Sequence, residues 1–355
     1  MKTLYLLPFL FLAITTFAQK QFVVQNGTAQ TFETLVEAVD AASAGDTIYL
    51  PGGGFNFNSQ IIDKQLHWRG VGHYPDSTLA TGFTNVICDG YPYVLRFTKN
   101  ASGSTFEGIY FQGSLQFGTV SNEEVTDVTI KYCRITGSIT LRYNINLSNG
   151  FPDLNFHLLQ SVVGTMKGNS GRNCLIENNL IFGTCEYFHY SIFNHNTFAY
   201  SSYHLSNSTN CRYTNNVFTY NPGLSGSSNC EFQNNTFNGG LPYNPELSTF
   251  TGSGNLTGVN RDQVFKSITA NLWTFDYPND YHLNDIAGTN ENGDDVSILG
   301  IATDGTNPGI YGGAPIKQYK EGAVPYNPHV RTVDIANEAV NGELDVKITV
   351  AAQEK

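Results

Sequence analysis

Charge is scarce in this chain. Only 14% of its 355 residues are charged, and the 19 Lys and Arg are outnumbered by 30 Asp and Glu, for a net charge of −11. A chain so poor in cations is not built to hold nucleic acid or an anionic membrane surface. The same deficit disfavours polyanionic glycans such as pectate or alginate, unless a local basic groove gathers the few cations. Long apolar runs are also missing. The one run, Leu4–Ile14, is too short to span a bilayer and follows Lys2. With Thr16-Phe17-Ala18 before Gln19, it reads as a Sec-type signal over residues 1–18, which implies a secreted or cell-surface protein and no membrane insertion. No Cys follows that cut, so a lipid anchor is not expected. The spacings of the six Cys match no zinc site. Between the chain's short alternating segments there is no stretch long enough for the helical crossover that an α/β sheet requires.

What is present is a repeat. "CLIENNLIF" from Cys174, "SIFNHNTFA" from Ser191, "CRYTNNVFT" from Cys211 and "CEFQNNTFN" from Cys230 share one pattern, and its second amide falls at Asn179, Asn196, Asn216 and Asn235. These return 17, 20 and 19 residues apart. Apolar and polar residues alternate with the period of a strand, then break at Asn or Gly. A period near 20 with short strands predicts a chain that coils, each turn stacking about 4.8 Å on the last. Earlier, weaker copies place Cys133 and Ile109 in the Asn column, with room for one further coil and a loop near Asn149–Asp153. Asn tolerates the left-handed backbone of a tight corner, and its amide can bond to its neighbours above and below, so a ladder is expected. Cys174, Ser191, Cys211 and Cys230 form a second column of small side chains. Secretion favours disulfides. Register would place Cys211 and Cys230 within bridging range, but stacked side chains point the same way, so free buried thiols stay equally open.

Toward the N-terminus, residues 19–27 read as an entering strand. Phe32, Leu35, Val36, Val39 and Ala42 recur at helical spacing, with Thr31 as N-cap and Gly45 as the stop. Such a helix would cover the open end of a coiled sheet. Residues 19–323 form the main domain. Residues 324–355 read as a Pro-containing linker and a two-stranded tail, "VRTVDIA" and "ELDVKITVAA", turning at Asn341–Gly342. The tail is a candidate docking element for a protein partner.

The succession "AGDTIYLPGG", "KQLHWRGVG", "FEGIYFQG" and "NCLIENNLIF" resembles the right-handed parallel β-helix proteins of the pectate-lyase-like superfamily, over residues 22–255. The resemblance implies an all-β, single-stranded right-handed parallel β-helix solenoid with an N-terminal helical cap and a short C-terminal β tail. "DGTNPGIYGG" resembles a segment that closes the solenoid in bacterial secreted β-helix proteins. Handedness rests on this resemblance and on the right-handed crossover rule. Lyases of the superfamily use Asp-held calcium with an Arg base, and its hydrolases use paired Asp and a Gly-His-Gly segment; neither pattern occurs in this chain.

The residues offer three candidate chemistries. Asp294-Asp295 could hold calcium, or simply solvate a turn. Arg172 and His189 share a column, with Lys131, Arg134 and Arg212 on other coils; a basic ladder could hold an acidic sugar during β-elimination, with His189 or Tyr190 as base. Finally Tyr187, His195, Tyr200, Tyr203 and His204 could line a face on which sugars stack, although stacked aromatics also stabilise coils with no ligand at all. The leading expectation is a secreted carbohydrate-binding or structural protein with polysaccharide as partner, no complete catalytic signature and no cofactor. A polysaccharide lyase or related enzyme is the alternative, and an adhesin or assembly component the second.

Overall fold

The computed structural model describes residues 21–351, except 59, 80, 89–92, 145–149, 200–204, 245–248, 270, 323, 326–328, 337 and 340–341. Residues 1–18, for which a signal segment is expected, lie outside the described residues. The fold is dominated by strands in two large sheets, of twelve and fourteen strands. The twelve-stranded sheet opens with antiparallel pairs among Thr28–Phe32, Phe22–Asn26 and Asp46–Tyr49. From Asp46–Tyr49 onward every pairing is parallel, through Leu66–Arg69, Thr105–Glu107, Thr129–Lys131, His157–Leu159, Leu175–Glu177, Ile192–Asn194, Arg212–Thr214, Glu231–Gln233 and Thr251–Ser253. The fourteen-stranded sheet is parallel throughout its main path, from Gly53–Asn56 to Thr236–Phe237. Its two long strands, Arg134–Thr140 and Val162–Arg172, carry pairing on to a side arm that includes Cys185–His189 and Leu205–Ser206. The chain visits the two sheets in turn, once per pass.

Each short strand follows from the repeat. The middle residue points inward: Ile176, Phe193, Tyr213 and Phe232 are essentially inaccessible. Its neighbours point out, as in the pairs Leu175/Glu177 and Ile192/Asn194. Inside, like stacks on like. Phe193, Tyr213 and Phe232 lie with centroids 4.9 Å apart, and Phe198, Phe218 and Phe237 at 4.6 and 5.0 Å.

The expected Asn ladder forms, and it is longer than its four copies. Asn196, Asn216, Asn235 and Asn255 each accept, through Oδ1, from the backbone N–H and side-chain amide of the Asn on the preceding pass, at 2.8–3.1 Å, and Asn179 Oδ1 accepts from Ser161 N at 2.9 Å. Ser161 and Cys133 continue the column. The extra pass anticipated between Cys133 and Asn179 is His157–Leu159 with Ser161. One point differs from the sequence expectation, which assigned both corner and ladder to the second Asn. The left-handed backbone belongs to the residue before it: Asn178, His195, Asn215 and Asn234, with φ of 56°, 51°, 59° and 51°. One residue turns the chain while the next seals the turn. A second left-handed column, Asn173, Tyr190, Asn210 and Asn229, precedes the Cys column at the other end of the strands. All six Cys are free and buried, and burial pushes the Cys133 and Cys174 thiols up to about 12.

The N-terminal helix is Leu35–Ala41, shorter than its pattern suggested. Thr31 is paired in a strand with Val23, so it cannot cap. Thr34 does, in a capping box with Glu37. The helix ends at Ala42 rather than at Gly45, and Lys64 Nζ takes the carbonyls of Val39, Asp40 and Ala42. Leu35, Ala38, Val39 and Ala42 join the main core.

After residue 255 the chain covers the outer face of the fourteen-stranded sheet. Leu256, Val264, Phe265, Tyr281, Ile298 and Ile310 form a second core against Val162, Leu180 and Val217. Residues 301–325 then run back along the corner as a strap, where the resemblance suggested a closing coil. Asn234 donates to Ile301 O. Asn215 Oδ1 accepts from Thr303 N at 2.9 Å. Asn178 donates to Ile310 O and Gly312 O at 2.9 Å, and Gln160 to Ile316 O at 3.0 Å. Pro325 lies against Gly108, where a Cβ would meet its Cγ at 2.5 Å. The left-handed residues that turn each corner thus also hold the strap. Among the described residues the tail strands His329–Ile335 and Val346–Ala351 pair only with each other, leaving Ile335, Val346, Ile348 and Val350 about half exposed.

Candidate functional site

The strap forms a wall beside the outward face of the twelve-stranded sheet. Between them lies a groove of about 400 Å³. Outward residues of successive strands floor it: Glu177, then Ile192 and Asn194, then Arg212 and Thr214. Thr303, Asp304, Gly313 and Lys317 line it from the strap, and His195 and Asn215 from the corner.

Its charges are compensated. Glu177, 8% exposed, accepts from Asn194 Nδ2 at 2.9 Å and Lys317 Nζ at 3.3 Å. Arg212 donates to Gln233 Oε1 at 2.6 Å and pairs with Glu231 at 3.4 Å, yet stays half exposed. His195 is buried with Nε2 3.2 Å from Asn215 Nδ2 and 3.5 Å from Asp304 Oδ2. Desolvation lowers the affinity of His195 for a proton, and Asp304 and Glu177 offset only part of that. Burial would raise the Asp304 carboxyl, but hydrogen bonds from Thr306 and the nearby imidazole hold it below the usual range. The His195 imidazole and the Asp304 carboxyl thus meet at the corner. Gly312 is required there, since a Cβ would meet His195 Nδ1 at 2.3 Å. The groove therefore offers amides, a hydroxyl, a half-exposed guanidinium and two carboxylates, a set that suits sugar hydroxyls.

Further along the same face, three cations and His67 approach one another. Arg69 pairs with Glu107. Lys131 Nζ lies 4.5 Å from the centre of the Tyr132 ring, and Lys320 from the strap 5.4 Å from the same ring. Burial, and then the charge of Lys131, lower Lys320 to about 8. Burial and Arg69 lower Lys131 as well. His67 follows the same trend, for the same two causes.

The residues singled out in the sequence do not form one site. Arg172, His189 and Tyr190 meet at the far corner of the sheet, away from Lys131. There Arg172 is clamped by Asp153. His189 stacks on Phe151 at 3.9 Å, bonds Thr209 through Nδ1, and has its Nε2 closed off from solvent. Burial lowers His189 to about 4. Tyr190 is 49% exposed and Tyr187 half-buried. His195 sits across the strand Ile192–Asn194 from them. Tyr200, Tyr203 and His204 lie outside the described residues. Arg134 belongs to the fourteen-stranded sheet, and its guanidinium lies between Tyr110, Phe275 and Tyr277 at 4.8–5.0 Å. Asp294 lies in the turn of the hairpin Ala287–Thr289/Asp295–Ser297 and Asp295 opens its second strand, where Asn290 and Thr289 serve them. Among the described residues Asp280, His282 and Glu321 converge within 4.8 Å, with His282 bonded to Asp280 at 2.7 Å and stacked on Tyr311.

Glu177, Asn194, Asp304 and Lys317 were not anticipated. Glu177 and Asn194 hold the outward place two residues before each ladder Asn, and that position was the readable signal. No protein-family model, curated protein or solved structure matches the chain.

Proposed function

We propose that this chain is a secreted β-helical solenoid of the pectate-lyase-like kind, and that it binds polysaccharide along the outward face of its twelve-stranded sheet. Parallel sheets visited in turn, sealed by the Asn ladder, support the solenoid, with the helix Leu35–Ala41 as its cap. The observation that carries the binding function is the groove of about 400 Å³ between that face and the strap, lined by Asn194 and the buried Glu177, with Arg212 and Lys317 presented to solvent. It runs across stacked strands, so successive sugars of a chain meet outward side chains at the strand spacing. Binding needs no cofactor and no catalytic base.

The test titrates the purified protein with a panel of neutral and acidic polysaccharides, by calorimetry, while reducing and unsaturated ends are followed. Binding without products is expected, weakened about tenfold by Arg212→Ala or Asn194→Ala, the loss of one or two polar contacts. If no member binds, the function is wrong.

A lyase is the second reading, favoured by Lys320. A lysine lowered to about 8, beside Lys131 and Arg69, is a base with cations at hand to neutralise a uronate. Unsaturated ends that rise with pH through 8 and vanish in Lys320→Met would replace binding with catalysis. The apolar side of the tail hairpin supports a protein partner there.

A further inference from the structure

The covering layer on the fourteen-stranded sheet has two borders. The strap is one. The other carries Trp273, one of two tryptophans in the chain. Trp68 is fully buried in the core, whereas Trp273 is 42% exposed. Its position is fixed. Asn271 Oδ1 accepts from the backbone N–H of Trp273 at 2.9 Å and of Thr274 at 3.2 Å. The indole lies 5.2 Å from the Tyr220 ring, and the Arg261 guanidinium covers Tyr220 at 4.3 Å.

Two hollows, of about 370 and 240 Å³, meet at this indole. Tyr220, Asp262 and Asn271 line the first, and Thr136, Phe182 and Thr274 the second. Thr136 and Tyr220 are four passes apart along the stack, or about 19 Å at the strand spacing. An exposed aromatic plane midway along a trough whose first hollow carries Asp262, Ser267 and Asn271, and whose second is largely apolar, is arranged for the C–H face of a pyranose, with hydroxyls reaching the polar wall of the first hollow. Lys266 lines the first hollow; burial raises the nearby Asp280 carboxyl, while hydrogen bonds from His282 and the charges of His282 and Lys266 bring it below the usual range. Arg261 pairs with Asp262 at 3.4 Å. Arg134 is covered by aromatic rings.

We propose that Trp273 is the stacking platform of a second glycan subsite, which takes a neutral hexose or pentose chain. This rests on the polysaccharide-binding function above but uses the opposite border of the covering layer.

Tryptophan emission tests it directly, because buried Trp68 is shielded from ligand and quencher. The full-length protein is titrated with cello-, xylo- and mannohexaose and with an oligogalacturonate, following emission, iodide quenching and, in parallel, calorimetry. One neutral hexaose is expected to shift the emission and protect it from iodide. Trp273→Ala should lose about tenfold in affinity for that sugar, and Trp273→Phe less. Asn144→Ala, on an exposed loop away from both sites, should leave the emission response unchanged. The wild-type titration decides the matter even if a variant folds poorly. A neutral sugar that binds by calorimetry without touching the emission, and equally well in Trp273→Phe, overturns this subsite while leaving the sheet-face groove standing. A response to oligogalacturonate alone overturns the neutral class. Binding of no sugar overturns both sites.

Discussion

Replacing Asn216 by Ala should be among the most destabilising single changes in this protein. Asn216 Oδ1 accepts the backbone N–H of Asn196 at 2.8 Å and its side-chain amide at 3.1 Å. Its own amide donates to Phe193 O and Asn235 Oδ1, both at 2.9 Å. Alanine leaves the Asn196 N–H buried without an acceptor, which costs about 1–3 kcal/mol. The two donor contacts add about 1 kcal/mol each, since Asn235 Oδ1 keeps the Asn216 N–H. The sum is about 3–5 kcal/mol, read as a drop in the urea midpoint at unchanged slope. Asn144→Ala, on an exposed loop, should stay within about 0.5 kcal/mol. Asn216→Asp sharpens the test. It sets an oxygen against two acceptors, so its folded pKa must rise above the unfolded value. Its penalty relative to wild type should then be larger at pH 7 than at pH 4. A cost below about 1 kcal/mol for Asn216→Ala, or a pH-independent Asp variant, would refute the ladder as a source of stability.

Stability should fall as pH drops from 6.5 toward 3. Burial, and then the charge of Arg134, hold His73 at about 3. In that window the unfolded chain binds the extra proton, so the slope approaches about 1.4 kcal/mol per pH unit, and His73→Gln should flatten it in acid titrations. The six Cys should resist a thiol reagent in the native protein and all react after unfolding, with no change of melting temperature under reductant. Deleting residues 329–355 should leave the unfolding midpoint unchanged in urea titrations, because among the described residues the tail hairpin pairs only with itself.

Much of the stacked architecture was legible from particular residues. The register that put Cys133 and Ile109 in the Asn column holds in the strand pairing of Thr129–Lys131 with Thr105–Glu107. Phe198 and Phe188 are wholly buried, as alternation required. The candidate site was much less legible. Tyr187, His189 and Tyr190 are close to His195 in sequence, yet a strand crosses a whole face between them. Sequence proximity within a coil says little about which face a side chain shares. His189 carries the right chemistry, but Phe151, from an earlier pass, closes it.

The sequence by itself determined the period, the inward positions and the ladder, because these repeat locally and each copy reinforces the next. It also determined the scarcity of cations. Tertiary structure alone decided where those cations gather and what faces them. The groove joins Glu177 to Lys317, 140 residues apart. That contact exists only because residues 301–325 return along a rail of left-handed corners, whose side chains Asn234, Asn215, Asn178 and Gln160 have no reason in the repeat itself to reach outward. Local pattern fixes a coil, since strand pairing answers to near neighbours in register. A strap is placed by single long-range hydrogen bonds that leave no period to read.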